Sequence, residues 1–225
     1  MTAPSRFVLL VGSPKGKGGT SHWLGQYILD RLPDEGTHKV THHLGKAIRK
    51  EDRWAQVMAD VDAADTVILS FPLYWDALPS HATRALEMLA AHRRKAPAAK
   101  PQNFVAMVNN GFPEPWHNLV ALRICRRFAE GTGFTWGGGL NVGGGAGLGE
   151  RPLEETGGMT RGLREALDSA VGPIGRGEPL PKDVEEAVAQ QMFPSWIPGV
   201  FGGMGWRHTA RKEGKYGLLK DRPYE

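Results

Sequence analysis

The run "VGSPKGKGGTS", residues 11–21, packs glycines, hydroxyls and lysines between a hydrophobic strand-like segment and a helical pattern. A chain holds a phosphate this way: glycine lets the backbone approach, and the N–H groups opening a helix face the anion. Two nucleotide motifs can be tested against it. A P-loop needs Gly, four residues, then Gly-Lys and Ser or Thr, whose hydroxyl holds a metal ion. Here the spacing from Gly12 to Gly16-Lys17 is one residue short, Gly18 stands where the hydroxyl should be, and Leu69-Ser70-Phe71 brings no Walker-B acid. A Rossmann turn needs three spaced glycines and a ribose-binding acid after strand two. Gly16 and Gly18 are followed by Ser21, and strand two ends His42-His43-Leu44. What remains is a metal-free donor set: the hydroxyls of Ser13, Thr20 and Ser21, the amides of Gly18 to Ser21, and the charge of Lys15 or Lys17. It suits a terminal monophosphate, each hydrogen bond to the anion contributing roughly 1.5–3 kcal/mol. The alternative is a glycine loop that only caps the first helix.

Two further segments fall at the same edge of an alternating fold. "PLYWDALPSHATRALE" (72–87) follows strand three, and its prolines stiffen a loop carrying Tyr74 and Trp75. One of these aromatics could face a planar ring and the other the core; the alternative is that both pack against the third helix. Strand four ends "VNNGFPEPW", where Asn109, Asn110 and Gly111 offer amides and carbonyls to a ring edge and Gly111 permits close backbone approach. A phosphate, a ring face and a ring edge together describe flavin mononucleotide. Other suggestive residues carry less. His38, His42 and His43 do not make a metal site, because neighbouring strand positions face opposite sides. Asp62 and Asp65 read as a helix end and a strand entry, and Cys125 as packing on the fourth helix.

These loops must be positioned by elements that the pattern supplies. Strand-like segments at Phe7–Gly12, Lys39–Leu44, Thr66–Phe71, Phe104–Asn109 and Phe134–Val142 alternate with amphipathic stretches. The first helix presents Trp23, Leu24, Tyr27, Ile28 and Leu32, and the second spans about Trp54 to Val61. The third presents Ala82, Ala85, Leu86 and Leu89, and the fourth Leu119, Val120, Ile124 and Phe128. "FVLLVG" and "TVILSF" are continuously apolar, as in central parallel strands covered on both faces. The alternation predicts an open doubly wound α/β sheet, with ligands at the switch point between strands one and three. Gly137 to Pro152 reads as a flexible loop, followed by helices near Met159–Ile174 and Lys182–Met192 and a tail rich in Pro, Gly and aromatics. Residues 1–192 are expected to form the main domain and 193–225 a basic C-terminal extension, packed on that domain or on a dimer mate.

Composition bounds the function. At 225 residues, with 40% hydrophobic and 23% charged, the chain is globular and suits one domain with an appendage. A lone cysteine excludes an internal disulfide framework and a Cys-ligated cluster, and fits a reducing, cytoplasmic compartment. No signal peptide or membrane-spanning run is evident. Of the net charge of +4, +3 falls in residues 207–225, where six basic residues face three acidic ones. A solvated or docking tail is therefore expected rather than a nucleic-acid-binding face.

The chain resembles the flavodoxin-like NAD(P)H-dependent FMN reductase superfamily, which includes NAD(P)H:quinone oxidoreductases. The resemblance is carried by "GSPKGKGGTS" (12–21), "PLYWDALPSHATRALE" (72–87) and "NNGFPE" (109–114), and continues through the glycine-rich run and the tail. It implies a flavodoxin-like five-stranded parallel sheet in the order 2-1-3-4-5 with helices on both faces. Its site residues fall at Ser13, Lys15, Gly19, Thr20 and Ser21 for the phosphate, Pro72, Leu73, Tyr74 and Trp75 for the isoalloxazine, and Asn109, Asn110 and Gly111 for the ring edge. It implies FMN as cofactor, NAD(P)H as hydride donor, and a small acceptor such as a quinone, nitro, azo or ferric compound. A homodimer is a family-level expectation. No general acid, nucleophile or metal is required; amides near Asn110-Gly111 would stabilise negative charge at N1/O2 of the reduced ring. Residues 143–149 and Trp196, Phe201 and Trp206 would form a lid or a dimer contact, or else an insertion and a packing arm. The rivals are a flavodoxin-type electron carrier and a scaffold that binds no flavin.

Overall fold

Every side chain from Phe7 to Val11 is apolar because this strand has two covered faces. Phe7, Leu9 and Val11 join one buried cluster and Val8 and Leu10 the other, the two-residue period of a strand dividing them. The computed structural model describes residues 5–192 and 207–221. The strands β1 (Ser5–Val11), β2 (Thr37–His43), β3 (Thr66–Pro72), β4 (Asn103–Asn109) and β5 (Thr135–Val142) form one parallel sheet in the order β2-β1-β3-β4-β5. This is the flavodoxin-like order implied by the resemblance.

The helices are α1 (Thr20–Arg31), α2 (Leu44–Ala47), α3 (Glu51–Ala63), α4 (Ser80–Lys95), α5 (Leu119–Gly131), α6 (Gly145–Leu148), α7 (Arg161–Arg176) and α8 (Lys182–Val188). One core lies between the sheet and α1, α7 and α8, where Leu24, Ile28, Leu167 and Ile174 meet Leu9, Ile68 and Met107. The other lies beneath α2 to α5, where Leu44, Val57, Ala85 and Cys125 meet Leu10, Leu69 and Ala106. Each fully buried large apolar side chain contributes about 1.5–3 kcal/mol relative to exposure.

Four sequence expectations are corrected. Helix α5 does not bury Leu119, Val120 and Ile124, which are 44%, 49% and 41% exposed; it turns Ala121, Cys125 and Ala129 to the sheet. Small side chains let the helix lie close, and Phe128 is taken up from the side by Phe104 at 5.3 Å. The run from Gly137 to Pro152 is not a flexible loop either. Gly137 to Val142 are strand, Gly145 to Leu148 make a helical turn, and Leu148 is buried. As an edge strand β5 is blunted by its neighbours: Leu180 N–H donates to Gly137 O (2.7 Å), and Gly139 N–H to the Glu185 carboxylate (2.6 Å). A 3₁₀ segment, Leu153–Thr160, precedes α7, so the helix begins at Arg161 rather than Met159, and α8 stops at Val188.

The described residues 5–192 form one compact unit, and those at 207–221 belong to a second. In the second, 207–212 are helical and Tyr216–Lys220 form a 3₁₀ turn; Trp196, Phe201 and Trp206 lie outside the described residues. Among the described residues no helix is long and apolar enough to cross a membrane.

Helix α1 approaches the sheet at Gly25, where a Cβ would fall 2.6 Å from Leu9 Cδ1 and 3.1 Å from Ser70 Cβ. Gly→Ala inside a helix ordinarily stabilises by roughly 1 kcal/mol. Here Leu9 is fully buried and has nowhere to move, so Gly25→Ala should instead destabilise by about 1–3 kcal/mol. A fall in the urea midpoint is the expected reading; a rise would show that the helix can lift off without cost.

Candidate functional site

The carboxyl ends of β1, β3 and β4 bring three loops together. Loop 1 (residues 12–19) leaves β1 through Gly12, where a Cβ would meet Phe71 Cβ at 2.9 Å and Ala82 Cβ at 3.0 Å. Only glycine lets the chain turn there between β3 and α4. A 3₁₀ turn, Gly16–Gly18, with Gly16 at φ +62°, delivers the chain to Gly19, which caps α1. Gly19 lies so close to Ser13 that a Cβ would fall 2.5 Å from its hydroxyl. The first turn of α1 leaves the N–H groups of Thr20 and Ser21 without helical acceptors, at the positive end of the helix dipole.

Loop 3 (residues 73–79) begins with Leu73 N–H donating to Asn109 O (2.7 Å), so it is pinned to β4. Tyr74 and Ala77 exchange backbone hydrogen bonds of 2.9 and 3.1 Å around a two-residue turn. Both central residues, Trp75 (φ +50°) and Asp76 (φ +60°), are left-handed. That conformation normally selects Asn-Gly and costs other residues about 1–2 kcal/mol each.

Loop 4 (residues 110–114) is held from beneath. Asn110 N–H donates to Val142 O (3.2 Å), its side-chain Nδ2 to Glu114 O (3.0 Å), and buried Asn118 Nδ2 to Asn141 Oδ1 (2.8 Å) and Val142 O (3.2 Å).

Of the expected site residues, Ser13, Lys15, Thr20, Ser21, Pro72, Leu73, Tyr74, Asn109, Asn110 and Gly111 line one cavity of about 210 Å³. Gly19 supports it from behind Ser13. Trp75 is set apart: it is 99% exposed, so it neither faces the core nor packs on α4, while Tyr74 is 46% exposed and on the cavity wall. The hydroxyls have partners in the protein. Ser21 Oγ donates to Asn109 Oδ1 (2.6 Å), and Thr20 Oγ1 to Gly149 O (3.1 Å). Two lining residues, Gly145 and Ala146, come from the glycine-rich segment. Glu150 pairs with Lys15 at 2.5 Å and holds its ammonium above the usual lysine range by hydrogen bonding and charge attraction. The density of glycines at 143–149 was a signal that backbone had to come close to something; nothing in the sequence names Lys15 as the partner of a residue 135 positions away.

The cavity is smaller than the roughly 300–1,000 Å³ of typical ligand sites, and residues 145–146 are part of the wall that narrows it. Hollows of 490, 470 and 700 Å³ lie elsewhere, along α7 and α8, between α5 and α8, and at the opposite edge of the sheet. None of them lies at the carboxyl ends of β1 and β3, where an open α/β sheet binds its ligands.

The donor set fits FMN. The amides opening α1, the Thr20 hydroxyl and Lys15 suit a phosphate dianion. The buried Asn110 Oδ1, left without a hydrogen-bond partner in the protein, suits an N–H on a ring edge. Gly111 has only Ala146 within 4 Å of where a side chain would start, so its backbone is open to a planar ligand.

Behind loop 1, His42 and His43 take different partners. His42 pairs with Asp60 (2.8 Å), while the His43 ring lies 5.2 Å from that of His22. Among the described residues no cluster of three or more His, Cys, Asp or Glu is arranged to hold a metal. Asp62 ends α3 paired with His92 (2.7 Å), and Asp65 enters β3 accepting from Arg6 N–H (2.7 Å). Cys125 is buried, and burial pushes its thiol far above the usual range.

Burial, then repulsion from His22, Lys17, Lys46 and His42, pushes His43 down to about 4. Its neutral form is therefore favoured in the fold. Below the ordinary value of 6.5 the unfolded chain takes up the proton first, so stability is intact above 6.5 and is lost as pH falls toward 4. The loss should be about 2 kcal/mol after allowance for partial exposure. Urea titrations at pH 7 and 4.5 should show it, and His43→Gln should reduce the difference; an equal acid loss in both proteins would assign it elsewhere.

No family model matches the chain, and no curated protein matches its sequence. Solved structures do. An oxidoreductase from Corynebacterium diphtheriae aligns with 77% of this chain and 97% of its own at 10% identity and a TM-score of 0.57. An NADH:FMN oxidoreductase in its apo form aligns with 84% and 96% at 13% identity and 0.54. An FMN-dependent NADH-azoreductase from Bacillus anthracis, solved with FMN, aligns with 82% and 98% at 12% identity and 0.50. With the strand order and the parallel pairing, these likenesses establish that the chain has the flavodoxin-like fold.

Proposed function

We propose that this chain binds FMN and acts as an NAD(P)H-dependent oxidoreductase that passes two electrons to a small acceptor such as a quinone. One observation carries the reading: an anion seat at the α1 N-terminus, an aromatic wall at Tyr74 and an amide-rich edge at Asn109–Gly111 converge on one cavity. The fold shared with the oxidoreductases above supports it. When bound, FMN supplies the two-electron chemistry between a nicotinamide and an acceptor.

The protein's part is placement and charge. The Thr20 and Ser21 amides and the Lys15 ammonium would hold the phosphate, with the α1 dipole adding to the attraction. Ser21 and Asn109 fix each other through their 2.6 Å hydrogen bond, which joins the phosphate end of the site to the ring end. Tyr74 would cover a ring face, and Asn110 Oδ1 would accept from a ring N–H. The backbone at Asn110-Gly111 offers a fixed dipole beside the ring edge, where negative charge would be stabilised. No side chain is assigned as general acid, nucleophile or metal ligand.

Absorbance of the purified, FMN-reconstituted protein, followed by anaerobic addition of NADPH or NADH, tests this. Bound flavin bleached by a nicotinamide is expected. Bound flavin that neither nicotinamide bleaches would favour an electron carrier, and no binding would sink the reading. Thr20→Asp separates site from fold. A carboxylate in the first turn of a helix is favourable by a few tenths of a kcal/mol or more, which offsets part of the lost Thr20–Gly149 hydrogen bond, so stability should fall by no more than about 1–2 kcal/mol and circular dichroism should show a folded protein. FMN affinity should fall at least about tenfold, the worth of one charge-assisted hydrogen bond, because a new anion faces the phosphate. Unchanged affinity would place the phosphate elsewhere.

A further inference from the structure

The donors of loop 1 already face acceptors supplied by the chain itself. After β5, Gly144 N–H donates to Phe112 O (2.5 Å) and Gly145 N–H to Asn110 O (2.7 Å), folding the segment back onto loop 4. Glycine is required for this approach: a Cβ at Gly143 would fall 2.3 Å from Pro113 O, and one at Gly145 2.8 Å from Asn109 Nδ2. The segment then crosses to loop 1. Gly149 O accepts from the Thr20 hydroxyl at 3.1 Å with Gly145 O 3.5 Å away, and Glu150 Oε1 sits 2.5 Å from Lys15 Nζ. Two carbonyls and a carboxylate thus engage the hydroxyl and the ammonium that a phosphate would use.

These interactions are unequal to a dianion. The Lys15 and Glu150 side chains are 64% and 55% exposed, and an exposed pair of this kind is broken at little cost. A phosphate monoester carries about twice the charge of a carboxylate and offers three acceptor oxygens. A neutral ligand has nothing to exchange for the Lys15–Glu150 pair.

We propose that Glu150 gates the phosphate seat. Its carboxylate holds Lys15, the carbonyls of Gly145 and Gly149 hold Thr20, and a ligand carrying a phosphate monoester opens the seat by displacing them. Glu150 thereby sets both the affinity for FMN and the preference for FMN over its dephosphorylated form. The proposal rests on the FMN reading of this site.

Titrations of FMN and riboflavin, followed by quenching of flavin fluorescence, test it on the wild type, Glu150→Gln and Glu150→Asp, with circular dichroism confirming that each is folded. The wild type should prefer FMN. Glu150→Gln should bind FMN about 2- to 5-fold more tightly, a gain that shrinks in 1 M salt where screening acts within about 3 Å. Its riboflavin affinity should stay within about twofold of wild type, since no charge is exchanged. Glu150→Asp keeps the charge and should stay closer to wild type than Glu150→Gln. If Glu150→Gln binds FMN no better than wild type while the wild type still prefers FMN to riboflavin, the gate is wrong and the phosphate seat stands. If the wild type binds both flavins alike, or neither, the phosphate reading itself fails and the gate with it.

Discussion

The arrangement depends on how closely helix α1 lies on the sheet. At Gly25 no side chain separates the helix from Leu9 and Ser70, and Ser70 Oγ donates to the carbonyl of Ser21 at 2.6 Å across the contact. A larger residue at either position would lift the helix and carry its first turn away from the strand ends. Gly12 imposes the same closeness one step earlier, where the chain leaves β1 between Phe71 and Ala82. The N–H groups of Thr20 and Ser21 and the aligned helix dipole are thereby delivered to the edge where β1 and β3 diverge.

A second layer of polar contacts ties that helix end to the rest of the site. Ser21 to Asn109, Asn109 O to Leu73, and Asn110 to Val142 and Glu114 connect three loops that approach from separate strands. These groups are buried or half-buried, and a missing partner would leave a donor or acceptor without water, at a cost of about 1–3 kcal/mol. The network therefore fixes geometry more than it adds net stability. Cation charge is concentrated on the same side: Lys15 and Lys17 project from loop 1, while burial first, and then Lys17, push His22 and His43 behind it below the usual histidine range. Lysines that match no nucleotide motif in the sequence thus have identifiable effects, Lys15 through Glu150 and Lys17 through the histidines.

The elements that repeat a simple period were legible. Continuous apolar runs at Phe7–Val11 and Thr66–Phe71 announced buried parallel strands, and the loops after strands one, three and four were found from their turn residues. Misreadings arose where packing is asymmetric. On α5 the large residues looked like the buried face, but the sheet accepts Ala121, Cys125 and Ala129 because the helix lies close, and Leu119, Val120 and Ile124 point away. In the glycine-rich run, composition suggested a loop, whereas glycine there serves close backbone approach: Gly143 to Pro113 and Gly145 to Asn109.

The sequence by itself determined the alternation of strands and helices, the two-faced core, and the donor types present at the glycine-rich loop after β1, the aromatic loop and the amide loop. Those follow from short-range periodicity and from turn chemistry, which act between residues a few positions apart. Only the tertiary structure decided that Thr20 meets the carbonyl of Gly149, that Lys15 meets Glu150, that Ser21 meets Asn109, and that Trp75 stands free in a left-handed turn. The three pairings join residues 88 to 135 positions apart. Which of many compatible donors and acceptors meet is set by how closely the helices and loops pack, a property of the folded volume that no local pattern records.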